Sequence, residues 1–246
     1  YKNRPGISIP KNDLIKVTDD LGFNKSLAPL KNLYDQGYLS IINNVGYPNP
    51  NRSHFRSTDI WQTASSANEY LDTGWVGRYI DRYGKMPYLG IEIDDSLSLI
   101  MKGETMNGIA TKNPRILFNN TQTPYFKKVL SHQSDQHLSE HNLGYLYKTM
   151  IEAKSSAKYI YETSKTYKSK QEYPNNAFGK QLKTTAEFIN SNIKSKVYYV
   201  SMGGFDTHAN QADRQKRLLS TYSESMEVFV NELKQNDTFK DTLILT

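Results

Sequence analysis

The sequence predicts an α/β fold in which helices cover a mainly parallel sheet. Its 246 residues, of which 37% are hydrophobic, are enough to bury one sizeable core, and this favours a single domain over residues 1–246. The hydrophobic pattern alternates between helical and strand periodicity along the chain, an order typical of sheets that helices cover. We therefore expect one α/β domain without internal repeats.

The first elements follow in the order helix, strand, loop and helix. Apolar residues recur at helical spacing within 26–36, and Gly37 is a residue that commonly ends a helix. An apolar run at 38–45 predicts a strand, and a loop rich in glycine and proline follows it at 46–51. Ser53 stands where an N-cap would precede the next helix.

The rest of the chain predicts further alternation. Short apolar runs separated by turn residues within 86–117 predict a small β-rich, antiparallel insert. Helices are predicted at 141–166 and 178–193, followed by a strand at 196–202, a loop and a third helix. A closing strand at 242–245 is expected to pair in parallel with the previous one through a right-handed crossover.

Composition limits the possible chemistry. The absence of cysteine excludes disulfides and thiolate nucleophiles, so any metal must be held by oxygen and imidazole ligands. Lys and Arg number 31 against 25 Asp and Glu, which favours an anionic partner. Because the basic residues are scattered along the sequence, we do not expect the anionic partner to be a nucleic acid. No apolar stretch approaches the roughly 18 residues that a membrane span needs, so we expect no membrane span in this sequence.

A candidate metal site follows the strand predicted at 196–202. Two glycines lead into Asp206 and His208, at the end of the strand where open α/β sheets place their ligands. The two residues are two positions apart, so an extended turn would direct both side chains to one side as ligands for a divalent cation. The pattern is weak by itself, and a turn-forming Asp206 beside an exposed His208 is the alternative.

A candidate catalytic site surrounds Ser53. A serine at a helix N-terminus has backbone N–H groups and the positive end of the helix dipole beside it, which suits an anionic ester. Arg52 and Arg56 would add charged hydrogen bonds, and Arg78 would reach the anion from another helix. The hydroxyl needs activation, by a metal or by a base such as His54. The alternative is that Ser53 only caps its helix and that Arg52 and Arg56 are solvated.

A second group of imidazoles is a weaker candidate. His132, His137 and His141 lie close together in the sequence. Their polar surroundings also fit a loop that leads into a helix, and this is the interpretation that we favour over a metal site.

Three separated segments, 44–55, 73–79 and 203–208, resemble a bacterial family, the domain of unknown function 1501 family. That family is placed in the alkaline phosphatase and sulfatase superfamily and is often exported by the twin-arginine route. The resemblance covers nearly the whole chain. It implies a three-layer α/β/α sandwich of the alkaline phosphatase and sulfatase type, truncated at both ends in this chain, and export to the periplasm or the extracellular space.

The resemblance also implies roles for individual residues. In the superfamily a serine or threonine nucleophile at a helix start faces one or two divalent ions held by Asp and His. This implies Ser53 as the nucleophile and Asp206 and His208 as ligands of Zn, Mn, Ca or Mg. Phe205 stands where the family more often has tryptophan. Other family motifs are expected before residue 1 and after residue 246, so we expect that this fragment alone can lack metal and activity.

The expected function is metal-dependent hydrolysis of phosphate or sulfate esters, with an anionic small molecule or a glycan ester as the substrate. A non-catalytic exported module that binds anionic glycans or a protein partner is the alternative. A phosphomutase that uses the same site is a third hypothesis.

Overall fold

The computed structural model describes residues 5–131 and 141–246. The chain divides into two units, each built from segments that are distant in sequence. The first unit comprises Lys170–Ala186, Ser201–Thr246 and the described part of Tyr1–Val45. The second comprises Glu187–Val200 and the described part of Gly46–Ser169. The predicted α/β class is confirmed, while the single domain over residues 1–246 stays a prediction.

The described residues form eight α-helices and five short strands. The helices are α1 Ala28–Asp35, α2 His54–Thr63, α3 Trp75–Tyr83, α4 Pro114–Thr121, α5 Pro124–Ser131, α6 His141–Thr163, α7 Ala177–Asn190 and α8 Gln211–Gln235. The strands are β1 Leu14–Lys16, β2 Gly22–Asn24, β3 Gly90–Glu92, β4 Ile109–Ala110 and β5 Val197–Tyr199. No helix in these two stretches is long and apolar enough to cross a membrane.

The first unit packs around α8. Strands β1 and β2 form an antiparallel pair in which Ile15 lies opposite Phe23. The buried side chains of α8 recur at helical spacing, as an amphipathic helix requires; the apolar ones are Met226, Phe229, Val230 and Leu233. Leu30 of α1 is also buried. The hydroxyl of Ser223 donates a hydrogen bond of 2.5 Å to the carbonyl of Ser26, which ties α8 to the residues before α1.

The second unit contains a three-stranded parallel sheet in the order β4-β3-β5. One hydrophobic cluster combines β3 with α6 and the end of α7, and Tyr198 and Val200 pack against it. A second cluster centres on α3, and Val197 and Tyr199 pack against that one. Because successive side chains of a strand point to opposite faces, the two clusters cover opposite faces of the sheet.

Two predicted strands are wrong. Residues 38–45 form no strand, and Ile42 and Val45 remain 75% and 78% exposed. Asn44 adopts a positive φ of 59°, which interrupts an extended conformation. Residues 242–245 are likewise not a strand, and Leu243 is 94% exposed. An apolar run becomes a strand only where another strand takes up its backbone hydrogen bonds, and no described strand pairs with either run.

The antiparallel insert predicted within 86–117 is also wrong. Strands β3 and β4 lie in this range, but they pair in parallel and belong to the same sheet as β5. The apolar run at 97–101, one of the strands expected in this range, contains a turn of 3-10 helix at 99–101 instead. The long helices predicted from periodicity are confirmed as α6, α7 and α8, and the strand before the loop at 203–210 is confirmed as β5.

Candidate functional site

The loop between β5 and α8 brings the side chains of Asp206 and His208 together. The Nε2 atom of His208 lies 3.0 Å from Oδ1 of Asp206 and 3.1 Å from Oδ2. Both side chains are exposed, His208 to 79% and Asp206 to 57%. The predicted convergence of these two side chains on one side of the loop is therefore confirmed.

Glycine and a short hydrogen bond shape this loop. Gly204 has a φ of +97°, a conformation that side chains with a Cβ rarely adopt. At the other end, the side-chain amide of Gln211 donates a hydrogen bond of 2.6 Å to the carbonyl of Thr207. These two features shape the loop before α8 and leave the acid and the imidazole exposed.

Ser53 is the N-cap of α2, as the sequence predicts. Its hydroxyl accepts a hydrogen bond of 3.4 Å from the backbone N–H of Arg56. Its own backbone N–H donates a hydrogen bond of 2.7 Å to Oδ1 of Asn51. Ser53, His54 and Arg52 are all exposed, so a solvent-borne ligand has access to the start of α2.

Arg56 has a different role from the predicted one. It is only 7% exposed, and its Nη2 group donates hydrogen bonds to the carbonyls of Ser66, at 3.3 Å, and Ala67, at 3.1 Å, and to that of Glu69. Its guanidinium also lies over the ring of Tyr70, 3.8 Å from the ring centroid. These contacts occupy the group that was expected to bind an anion, and they hold the loop after α2 in place.

Arg78 is likewise engaged with backbone. Its Nη1 group donates to the carbonyl of Thr73 at 2.8 Å, and its Nη2 group donates to the carbonyl of Thr63 at 2.6 Å. The end of α2 and the start of α3 are thereby joined through one half-buried guanidinium. Of the three predicted anion-binding arginines, Arg52 is the exposed one.

A cleft of about 370 Å³ lies beside Ser53, lined by residues 47–51 and 65–68. Sequence reasoning described residues 46–51 as a loop and did not single out residues 65–68. Every side chain in the lining is uncharged. Asn51 belongs to the lining and also accepts the hydrogen bond from Ser53, so the cleft adjoins the N-terminus of α2.

A buried carboxylate at the carboxyl end of β3 was missed by sequence reasoning. Glu92 is 2% exposed and accepts hydrogen bonds from the backbone N–H and the hydroxyl of Ser98, at 2.7 Å and 2.5 Å. Burial raises the pKa of Glu92, and the hydrogen bonds from Ser98 oppose this effect. On the neighbouring strand, burial raises the pKa of Tyr199, and the negative charge of Glu92 adds to it.

Two further carboxylates follow the same strand. The ammonium group of Lys112 lies 2.9 Å from Oδ1 of Asp94 and 2.6 Å from Oδ2 of Asp95. The hydrogen bond from Lys112 lowers the pKa of Asp94. These residues follow the carboxyl ends of β3 and β4, where parallel sheets place ligands. Their position after two apolar runs is the signal by which sequence reasoning could have found them. Their mutual pairing indicates a link between the ends of the two strands.

The described residues contain no group of three or more His, Asp or Glu side chains arranged to hold a metal ion. His132 and His137 lie outside the described residues. The predicted site residues belong to different units: Ser53, His54 and the three arginines to the second, and Asp206 and His208 to the first.

Comparison with known families gives one result. A family model described as "Protein of unknown function (DUF1501)" matches residues 4–246. No curated protein and no solved structure matches the chain. The predicted resemblance is thus confirmed over nearly the whole sequence, and the chain belongs to this family of proteins of unknown function.

Proposed function

We propose that this chain is part of a metal-dependent hydrolase that cleaves phosphate or sulfate esters, on a three-layer α/β/α sandwich of the alkaline phosphatase and sulfatase type. Ser53 is the nucleophile, and Asp206 and His208 are metal ligands. The single observation that carries the proposal is the convergence of Asp206 and His208 in an exposed loop.

The donor atoms of this pair suit a divalent ion. Zinc binds imidazole nitrogen and carboxylate oxygen at about 2.0–2.2 Å, which in a tetrahedral site places two ligand atoms about 3.3 Å apart. His208 Nε2 and Asp206 Oδ1 lie 3.0 Å apart. This is a hydrogen-bonding distance, and a bound ion would have to widen it slightly and replace the hydrogen bond between the two side chains. A stable site needs at least one more ligand, so the proposal requires a donor beyond this pair.

Ser53 has the position that a nucleophile for an anionic ester needs. Its hydroxyl is exposed at the positive end of the α2 dipole, where an anion is stabilised. Exposed Arg52 supplies a positive charge next to it. A divalent ion with Asp206 and His208 among its ligands would supply positive charge for the ester and would favour the deprotonated form of an attacking hydroxyl or water.

The reaction then has two steps. The Ser53 oxygen forms a bond to phosphorus or sulfur as the bond to the ester oxygen breaks, and His54 takes the serine proton. The departing oxygen leaves with the electron pair and takes up the proton that His54 holds, which gives the alcohol and restores neutral His54. Water next attacks the ester of Ser53, which releases phosphate or sulfate and restores the hydroxyl.

The test compares substitutions that separate capping from chemistry. Asparagine caps a helix as well as serine does, whereas alanine costs about 1 kcal/mol. We expect Ser53→Asn to keep the stability and the metal content of the full-length protein, and to abolish turnover of aryl phosphates and aryl sulfates. Ser155→Ala, at an exposed serine of α6, is the control. Unchanged turnover in Ser53→Asn would remove Ser53 from the mechanism.

The metal ligands are tested by elemental analysis of the same full-length protein. Asp206→Asn and His208→Gln are expected to lose the bound metal, because each removes one donor. Asp213→Asn, at an exposed acid of α8, is the matched control and should retain it. Equal metal content in all three variants would show that the metal lies elsewhere.

The alternative function is a non-catalytic binding module for anionic glycans or a protein partner. The cleft beside Ser53 supports a binding role, because hydrogen bonds hold the segments that line it. Its lining is uncharged, so exposed Arg52, next to it in the chain, would supply the charge for an anionic ligand. This alternative predicts that the full-length protein contains no stoichiometric metal and turns over neither ester. Stoichiometric metal with turnover that depends on Ser53 would exclude it.

A further inference from the structure

The cleft next to α2 has two walls, and the first turns of α2 fix both of them. Residues 47–51 form the first wall and residues 65–68 form the second. The side chains that hold these walls are Ser57 and Arg56, which are neighbours on α2. A site with walls held in this way needs little ordering when a ligand binds, and this favours affinity.

The first wall is held by a closed set of hydrogen bonds. The hydroxyl of Tyr47 accepts the backbone N–H of Asn51 at 3.0 Å and lies 3.1 Å from the hydroxyl of Ser57. Ser57 in turn donates to the carbonyl of Asn51 at 2.9 Å. The hydrogen bond with Ser57, and then that from Asn51, lower the pKa of Tyr47. Two prolines, at positions 48 and 50, further restrict this segment.

The second wall is held by the buried guanidinium of Arg56, which donates to the carbonyls of Ser66 and Ala67. The hydroxyl of Ser66 also donates to Oδ1 of Asn68 at 3.0 Å. Because the charged group faces the backbone of the loop in these contacts, the segment that it holds contributes only hydroxyl, methyl and amide groups to the cleft.

The chemistry of the lining selects a class of ligand. The lining contains three asparagine amides and two serine hydroxyls, which belong to Asn49, Asn51, Asn68, Ser65 and Ser66. Oδ1 of Asn51 and of Asn68 and the hydroxyl of Ser65 each accept a hydrogen bond within the protein, so a ligand would use the other donor and acceptor positions of these groups. The ring of Tyr47 and the prolines add flat apolar surface. No lining residue carries a charge, so a phosphate or sulfate group would find no ion pair there. A ligand that carries neighbouring hydroxyl groups on a ring with apolar C–H faces matches this combination.

We propose that this cleft binds an uncharged saccharide. Its volume of about 370 Å³ lies within the range of about 300–1,000 Å³ that is typical of small-molecule sites. The saccharide is recognised through amide and hydroxyl contacts and through packing of its C–H faces on Tyr47 and the prolines. This binding does not depend on the hydroxyl of Ser53 or on a metal, so it extends beyond the proposed hydrolysis.

The experiment titrates the ¹⁵N-labelled full chain with glucose, N-acetylglucosamine, maltose and cellobiose, and follows amide shifts by NMR. Asn49→Gly and Asn68→Ala each remove one lining amide. Asn49 has a φ of 55°, which glycine adopts without strain. Asn44→Gly is the matched control, because Asn44 has a φ of 59° and lies outside the cleft. Ser53→Asn is included to separate saccharide binding from catalysis.

We expect at least one of these saccharides to shift signals of residues 47–51 and 65–68. The two lining variants should weaken its binding about tenfold, the effect of one lost hydrogen bond, and Asn44→Gly and Ser53→Asn should bind it normally. Glucose 6-phosphate should bind no more tightly than glucose. The proposal is overturned if none of the saccharides binds, if the lining variants bind as Asn44→Gly does, or if the phosphorylated sugar binds more tightly. Ser53→Asn should lose ester turnover and keep saccharide binding. A failure of the proposed hydrolysis would therefore leave the saccharide proposal standing, and a failure of saccharide binding would leave the proposed hydrolysis standing.

Discussion

The carboxylate of Glu92 accepts two hydrogen bonds from Ser98, one from its backbone N–H at 2.7 Å and one from its hydroxyl at 2.5 Å. Glu92 is the last residue of β3, the central strand of the parallel sheet, and is 2% exposed. Burial raises the pKa of Glu92 above its ordinary value of 4.5, although Ser98 acts in the opposite direction. A buried carboxyl group at this position links the stability of the second unit to pH.

We predict that Glu92→Gln changes how stability depends on pH. A carboxyl group with a raised pKa in the folded state stabilises the protein fully below its unfolded pKa, and this contribution is lost as pH rises through the folded pKa. The free energy of unfolding of the wild type, minus that of Glu92→Gln, should therefore fall as the pH rises above about 4.5, the ordinary pKa of a glutamate side chain. Urea denaturation of both proteins at several pH values measures this difference in the free energy of unfolding. Glu104→Gln removes an exposed carboxyl as a control, and a constant difference for Glu92→Gln would contradict the prediction.

Arg56→Lys should destabilise the protein by about 2–3 kcal/mol. Lysine cannot reproduce the planar contacts of the guanidinium with several carbonyls and with the ring of Tyr70, and carbonyls in the loop would lose their donor. Arg52→Lys, at an exposed position four residues earlier, should change stability by less than about 0.5 kcal/mol. Chemical denaturation compares the two variants. If Arg56→Lys were as stable as Arg52→Lys, the contacts of Arg56 would not be important for the fold.

Gly77→Ala should cost about 3 kcal/mol or prevent folding. A Cβ at Gly77 would lie 2.0 Å from the carbonyl oxygen of Lys102, so α3 would have to move away from the backbone that it packs against. Gly46→Ala is the matched control, because a Cβ there meets no atom within 4 Å. Thermal unfolding of both variants tests the prediction. A melting temperature of Gly77→Ala equal to that of Gly46→Ala would mean that α3 packs differently.

The candidate site shows which inferences local sequence can support. The capping role of Ser53 and the convergence of Asp206 and His208 depend on residues close together in the chain, and both were predicted. The roles of Arg56 and Arg78 depend on carbonyls of neighbouring loops. A local sequence looks the same whether the guanidinium of an arginine faces solvent or bonds to the carbonyls of a loop, so those roles were not predicted.

The same distinction applies to the secondary structure. Helices satisfy their backbone hydrogen bonds within one segment, so the periodicity of α6, α7 and α8 was sufficient to predict them. Strands need a partner from elsewhere in the chain. The apolar run at 38–45 has the composition of a strand but no described partner, whereas β3 and β4 pair in parallel although the sequence suggested an antiparallel insert.

The sequence by itself determined the family, the α/β class, the long helices and the pairing of an acid with an imidazole in one loop, because each of these is encoded in short segments or their order. Only the tertiary structure decided which strands pair, which arginines are buried, and that two loops form an uncharged cleft beside Ser53. Those features depend on contacts between segments that are distant in the sequence. Whether a polar group is stable when buried depends on the hydrogen-bond partners that it finds there, and a local pattern does not specify them.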